Sequence, residues 1–370
     1  MGNTIIKQGG LYAMMKKERY WMGIKILVFL LTVMCFMLPE SISASAMDNG
    51  DYRCKAVLDS KYGKVSVSLF NNFNFIDTDS NTLNWDLALQ GVALSDVVYI
   101  GKGEEAAKLL KGLGYDYASL IRLNDSGNAD FVHPVSSMGY KKIVDENGTK
   151  NIFAIAIRGT RETSDFGSDV TDGLGTEMWR ASKLNVIEDL KLFINSATGK
   201  NWEQIKSEEN YFFLTGHSWG GATANALSVD RWIMEMTGEK SRVYTYTYES
   251  PHICVNLLWQ SSESMSNAFN FKDRDDWVTT FPAWWGSTTY GKDKDFVIGE
   301  LKREVFISTF PNIENITGID HHDRGHDLVY IFQHGIEEGH WKTLSDVATP
   351  VSNDTPAGVF IKVDGEKLKI

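Results

Sequence analysis

Three kinds of side chain in this sequence could together make an alcohol attack a carbonyl. The stretch LTGHSWGGATANAL, residues 214–227, holds Gly216-x-Ser218-x-Gly220. Downstream, FNFKDRDDWVTTFPAWWG (269–286) holds Asp273, Asp275 and Asp276, and GIDHHDRGHDLVYIF (318–332) holds His321, His322 and His326. A serine hydroxyl is a weak nucleophile until an imidazole takes its proton. The imidazole in turn needs a carboxylate to fix its tautomer and stabilise its charged form. Ser, then Asp or Glu, then His is the chain order of such a set when the serine stands on a strand-to-helix turn. The glycine-flanked serine decides little alone. With 32 glycines in 370 residues, chance places the pattern in roughly one chain in five.

The context is more telling, because the pieces that must hold these groups are legible around them. YFFLT (211–215) reads as a short buried strand and ATANALSVDRWIMEM (222–236) as a helix stopped by Gly238. Ser218 therefore stands where a strand meets a helix start. A turn that tight needs small neighbours two residues away, which Gly216 and Gly220 are. Gly221, Ala222 and Ala226 let the helix lie close on the sheet, and its N-terminal N–H groups would face a developing oxyanion.

Elsewhere, 84–114 carries apolar residues at helical spacing and predicts two helices. GYKKIVDENGTKNIFAIAIRGT (139–160) reads as a hairpin turning at Asn147-Gly148, and its second strand, IFAIAI, is apolar throughout, as a strand covered on both faces should be. Residues 178–195 predict a helix, 242–251 a strand, 269–271 and 303–309 two more strands, and 326–336 a helix. Alternation of this kind implies an α/β fold with a mostly parallel central sheet and helices on both faces.

With the motifs placed, the sequence resembles the class 3 lipase family, a branch of the α/β-hydrolases. Four blocks carry the resemblance in the right order. IFAIAIRGTRETSDFGSD looks like the family's apolar strand ending in Arg-Gly-Thr or Arg-Gly-Ser, with a polar turn and an Asp after it. FFLTGHSWGGATANAL looks like its Thr-Gly-His-Ser-Leu-Gly-Gly-Ala turn. VYTYTYESP is similar to its next strand, ending Ser-Pro, and DDWVTTFP to its Asn-Asp-x-Val-x-x-x-Pro acid loop. The blocks span about 155–285, and the helix ending ALSDVVY fits the family's usual start. The resemblance implies Ser218 as nucleophile and Asp276 as acid, since Val278 and Pro282 then fall at the family's spacing, with Asp275 as fallback. It implies His326 as base in preference to His322, because HDLVY sets His326 four residues before Tyr330. It implies an oxyanion hole from the backbone N–H groups of Thr160 and Trp219, and no cofactor or metal.

This chain departs from the family pattern at two places. Trp219 replaces a usual leucine and would reshape the acyl pocket; Glu249 stands where a small residue is common before Ser-Pro. Residues 161–179, where the family keeps its lid, hold little apolar surface, which favours smaller or more soluble esters. HHDRGH could instead ligate a metal through His321, His322, Asp323 and His326, although a polar loop with one working histidine is the simpler reading.

Composition sets outer limits. Lys16, Lys17, Arg19 and Lys25 precede the apolar run 26–38 and then SISASA, ending at Ala46. A basic stretch, a short apolar core and a small-residue exit read as a secretory signal peptide over 1–46, leaving one domain over 47–370; an uncleaved membrane anchor is the alternative. Residues 47–370 carry 32 basic and 46 acidic residues, which argues against nucleic acid and against electrostatic docking on anionic membranes. Cys54 and Cys254 would share the oxidising compartment, and spacing alone leaves their pairing open.

These readings together predict a secreted serine hydrolase of carboxylic esters, acylglycerols first, meeting an ester or lipid substrate and touching a lipid interface transiently, with no obligate protein partner. The alternatives are a phospholipase A1 or another esterase or peptidase on the same fold, or a non-catalytic binding protein that kept the fold.

Overall fold

The computed structural model describes residues 50–60, 63–100, 104–121, 133–159, 176–253, 267–280, 289, 291–297, 302–310 and 322–351. The chain divides into two units, Met1–Ala46 and Met47–Ile370. The signal-peptide reading falls on the first and lies outside the described residues, as do Thr160, His321, Cys254 and 161–175. Among the described residues no helix is long and apolar enough to cross a membrane.

In chain order the second unit runs β1 (Tyr52–Ser60), β2 (Gly63–Asn71), α1 (Trp85–Val97), α2 (Glu104–Gly112), β3 (Tyr117–Ile121), β4 (Ser136–Asp145) and β5 (Gly148–Ile157). Then come α3 (Thr176–Thr198), α4 (Trp202–Ile205), β6 (Glu209–His217), α5 (Trp219–Leu227), α6 (Arg231–Thr237), β7 (Val243–Tyr248) and β8 (Ala268–Asp273). The last elements are β9 (Lys292–Phe296), α7 (Arg303–Thr309), α8 (Arg324–Glu337) and β10 (Ala348–Pro350).

β3 to β9 form one seven-stranded sheet in sequence order. β3, β4 and β5 pair antiparallel, and β5 to β9 pair parallel. The mostly parallel sheet expected from the sequence is therefore present. β1, β2 and β10 make a separate small antiparallel sheet.

The apolar run of β5 is buried on both sides, and its two faces serve two cores. Ile152, Ala154 and Ala156 join Tyr211 and Phe213 of β6 in a core that includes α1, α2, α8 and the small sheet. Phe153, Ile155 and Ile157 join Phe212 and Leu214 in a second core with α3, α5 and α6. The period-2 alternation of side chains along a strand makes both cores possible. All of 212–217 is buried, so the strand that delivers Ser218 is held from both faces.

Three local readings need correction. Residues 222–236 are two helices, not one. α5 ends at Leu227, and Asp230 starts α6 by accepting from Trp232 N at 2.8 Å; Gly238 (φ 71°) closes α6 as expected. The β4–β5 turn is Glu146–Asn147, with Gly148 already paired to Asp145. Asp145 Oδ1 draws it tight by accepting from Asn147 N and Gly148 N. Residues 303–309 form a helix rather than a strand. The β-branched character of VFIST misled, because the hydroxyls of Ser308 and Thr309 bond back to Val305 O at 2.9 and 2.7 Å.

Candidate active site

The parallel strands β5, β6, β7 and β8 all end at one edge of the sheet, and each delivers part of the candidate site there.

β6 passes into α5 through the single residue Ser218, at φ 56° and ψ −129°. A non-glycine residue in that region costs roughly 1–3 kcal/mol and persists only where its surroundings dictate it. Here Ser218 N donates to Tyr248 O at 2.9 Å and Ser218 O accepts from Ala222 N at 3.0 Å, so sheet and helix hold it from either side. The flanking glycines are steric necessities. A Cβ at Gly216 would lie 2.4 Å from the Gly220 carbonyl carbon, and one at Gly220 would lie 2.1 Å from Ile157 O. The end of β5 is equally close. A Cβ at Gly159 would lie 3.0 Å from Ser218 Cβ and 2.5 Å from His217 O. The segment 158–159 thus runs beside the serine, as the oxyanion reading requires, although Thr160 itself is outside the described residues. Trp219 opens α5, with its indole buried (6% exposed) against Ala222 and the half-buried Ile253.

β8 leads to the acid. Asp276 is 1% exposed, and its Oδ1 accepts from Val278 N at 2.9 Å. Its Oδ2 lies 2.6 Å from Nδ1 of His322, which keeps 18% of its side chain exposed. The sequence reading paired Asp276 with His326, and here it needs correcting. Asp323 caps α8 through Gly325 N at 2.8 Å, so His326 sits in the first helical turn, fully buried. Its Nδ1 lies 3.4 Å from Oδ2 of Asp273, the carboxylate at the strand end rather than the one in the loop. His322 precedes the cap, keeps part of its side chain exposed and meets Asp276. Asp275, the fallback acid, is exposed, and its N–H is taken by Asp273 Oδ1 at 3.0 Å.

The His322 ring lies 4.6 Å, centroid to centroid, from the ring of His217, the residue before Ser218. Burial first, with smaller electrostatic contributions from His322 and Arg324, pushes His217 well below the usual histidine range, so it is a neutral neighbour. Its Nδ1 lies 3.1 Å from the Tyr99 hydroxyl, within hydrogen-bond reach, and burial pushes that phenol up to about 12. The Arg324 guanidinium lies 4.5 Å above the Tyr99 ring, and its Nε donates to Asp96 Oδ1 at 2.6 Å. Composition gives no sign of this Asp96–Arg324–Tyr99–His217 chain, whose members lie far apart in sequence.

Glu249, marked as a departure from the family pattern, is fully buried at φ 47°, with both carboxyl oxygens about Asp273 N at 3.1 and 3.0 Å. Among the described residues no group of three His, Cys, Asp or Glu is arranged to hold a metal ion. His322, Asp323 and His326 each serve a different partner.

Comparison with known proteins finds a family on these same segments. Residues 154–285 match the sequence model of a family described as lipase (class 3). No curated protein sequence matches the chain. Among solved structures, the chain is similar to the triacylglyceride lipase of Rhizomucor miehei at 16% identity, covering 58% of this chain and 79% of that one, with a TM-score of 0.40. It is similar to a lipase from Rhizopus microsporus var. chinensis at 14% identity, covering 57% and 73%, with a TM-score of 0.36. A third is a triacylglycerol lipase described as having a serine protease triad as its catalytic centre, at 14% identity, covering 62% and 82%, with a TM-score of 0.37.

Proposed function

We propose that this protein cleaves acylglycerols or related esters through Ser218, His322 and Asp276, a reading supported by the match of residues 154–285 to the class 3 lipase family model. The observation that carries the proposal is the 2.6 Å His322–Asp276 contact at the sheet edge where the strained Ser218 turn stands.

The chemistry is set by those positions. Asp276 Oδ2 holds Nδ1 of His322, which leaves Nε2 to take the Ser218 proton as its oxygen attacks the ester carbonyl. The positive charge that develops on the imidazole is met by Asp276 on one side, and the neutral His217 ring adds no opposing charge. The oxyanion forms at the start of α5, where the helix dipole favours negative charge. The backbone N–H groups of Trp219 and Thr160 are the donors we assign to it. Each such donor contributes about 2.7–4 kcal/mol to transition-state stabilisation in enzymes of this chemistry. His322 then returns its proton to the leaving alcohol, and a water activated by the same imidazole releases the acid from the acyl-enzyme. The N-terminal pattern over 1–46 supports secretion, and the substrate is the one partner we assign, met in solution or at a lipid surface.

The experiment is labelling with a fluorophosphonate probe beside hydrolysis of esters of graded chain length. The protein should be labelled at Ser218, and Ser218→Ala should lose both labelling and hydrolysis. A folded protein that resists the probe and hydrolyses none of the esters would sink the proposal.

A further inference from the structure

Glu249 occupies a position where a glutamate is expensive. It is fully buried and its φ of 47° is one that side chains with a Cβ rarely adopt. The ladder between β7 and β8 explains what holds it there. Glu249 N donates to Phe271 O at 2.9 Å, continuing the parallel pairing past Tyr248. In a regular parallel ladder the next bond would run from Asp273 N to the carbonyl of residue 249. The positive φ turns the backbone out of that register, and the Glu249 carboxyl takes its place, both oxygens facing Asp273 N. Asp273 begins the acid loop: its O accepts from Asp276 N at 3.1 Å and its Oδ1 from Asp275 N at 3.0 Å. The strand end, the loop and the acid are therefore one hydrogen-bonded unit, closed from the β7 side by Glu249.

We propose that Glu249 is a positioning residue for the hydrolytic reaction, fixing the loop 273–276 so that Asp276 meets His322, and that it does so as an uncharged hydrogen-bonding group. This deepens the serine hydrolase reading and rests on it.

The neutrality comes from the neighbours. Glu249, Asp273 and Asp327 are fully buried and Asp276 nearly so. Facing this group are His326 beside Asp273 and His322 on Asp276, with Asp323 and Arg324 at the start of α8. Four carboxylates with so few cations cannot all ionise out of water. Burial, then the charges of Asp327, Asp276 and Asp273, push the Glu249 carboxyl well above the usual carboxylate range. Burial and the charges of Asp273 and Asp276 push Asp327 the same way. Asp276 thus works without a second negative charge at Glu249 raising the basicity of its imidazole partner.

The test compares wild type with Glu249→Gln and Glu249→Leu, reading kcat, KM and the pH dependence of ester hydrolysis. Gln keeps an acceptor for Asp273 N and carries no charge; Leu has similar bulk and no acceptor. We expect Leu to lower kcat about tenfold or more with KM within about twofold, and Gln to stay within about threefold. The acid limb of kcat/KM should lie within about 0.3 pH unit of wild type in the Gln protein. If Leu does as well as Gln, the hydrogen bond is not needed and the proposal falls. If Gln moves the acid limb down by about one unit, the wild-type group is charged and the proposal falls. Should Leu fail to fold, the rates and limb of the Gln protein decide alone. A wild-type protein inactive on every ester and unlabelled at Ser218 fails before any variant is made, which marks the failure of the hydrolase reading instead.

Discussion

Two histidine–carboxylate pairs sit side by side at the sheet edge, built from neighbouring residues of the same two segments. His322 faces Asp276 at 2.6 Å with part of its ring exposed; His326 lies 3.4 Å from Asp273 with both residues fully buried. Residue types and spacing are nearly the same, and helix position separates them. Asp323 caps α8 between the two histidines. His326, beyond the cap, is turned inward onto the end of β8, whereas His322, ahead of it, lies outside the helix and meets the acid loop. A base that must exchange protons with substrate and water needs the second situation. A buried imidazole in the first turn of a helix braces the strand end instead.

Breaking each pair in turn should separate the two roles. His322→Ala should lower kcat by a factor on the order of 10^6, since a triad without its base retains little beyond binding and oxyanion stabilisation. His326→Ala should leave hydrolysis within about tenfold and lower stability by about 1–3 kcal/mol, through a lost buried contact. Steady-state kinetics beside thermal unfolding reads both. The reverse pattern would return the base to His326. The carboxylates sharpen the same contrast. Asp276→Asn should lower kcat about 10^4-fold, because an amide at that place favours the wrong imidazole tautomer. Asp273→Asn keeps an acceptor for Asp275 N and should act mainly on stability. Equal losses of kcat from the two would mean that the pairs act as one network.

What the sequence showed of this contrast was uneven, for physical reasons. The turn around Ser218 is legible because its constraint is local: only glycine fits at 216 and 220, and a buried strand must precede them. The sheet was legible through the apolar run IFAIAI of β5 and the alternation of Tyr and Thr along β7. Asp276 was singled out by spacing within one loop, and the fold sets it beside an imidazole. HHDRGH offers imidazoles on both sides of a helix cap, and the spacing to Tyr330 pointed to the one that the fold sets beside Asp273 rather than Asp276. Tyr330 packs on Phe296, His334 and Phe271. Glu249 and the Asp96–Arg324–Tyr99–His217 chain were illegible as devices because each depends on backbones that meet only after folding.

The smallest effect concerns His217, the neutral ring beside the His322–Asp276 pair. Its folded-state value is depressed by burial first, with smaller electrostatic contributions from His322 and Arg324. The unfolded chain takes up a proton there as pH falls through about 6.5, while the folded chain does not. The stability from this site is therefore present above about pH 6.5 and lost as pH falls below it, at up to about 1.4 kcal/mol per unit. His217→Gln keeps a hydrogen-bonding group toward Tyr99 and cannot titrate. Its unfolding free energy, measured against wild type between pH 7 and 5, should gain on wild type across that window. The offset at pH 7 reports the packing change alone. A constant offset across the range would mean that His217 takes a proton in the fold as readily as in the unfolded chain. His322 would then develop its charge beside a second cation rather than beside a neutral ring.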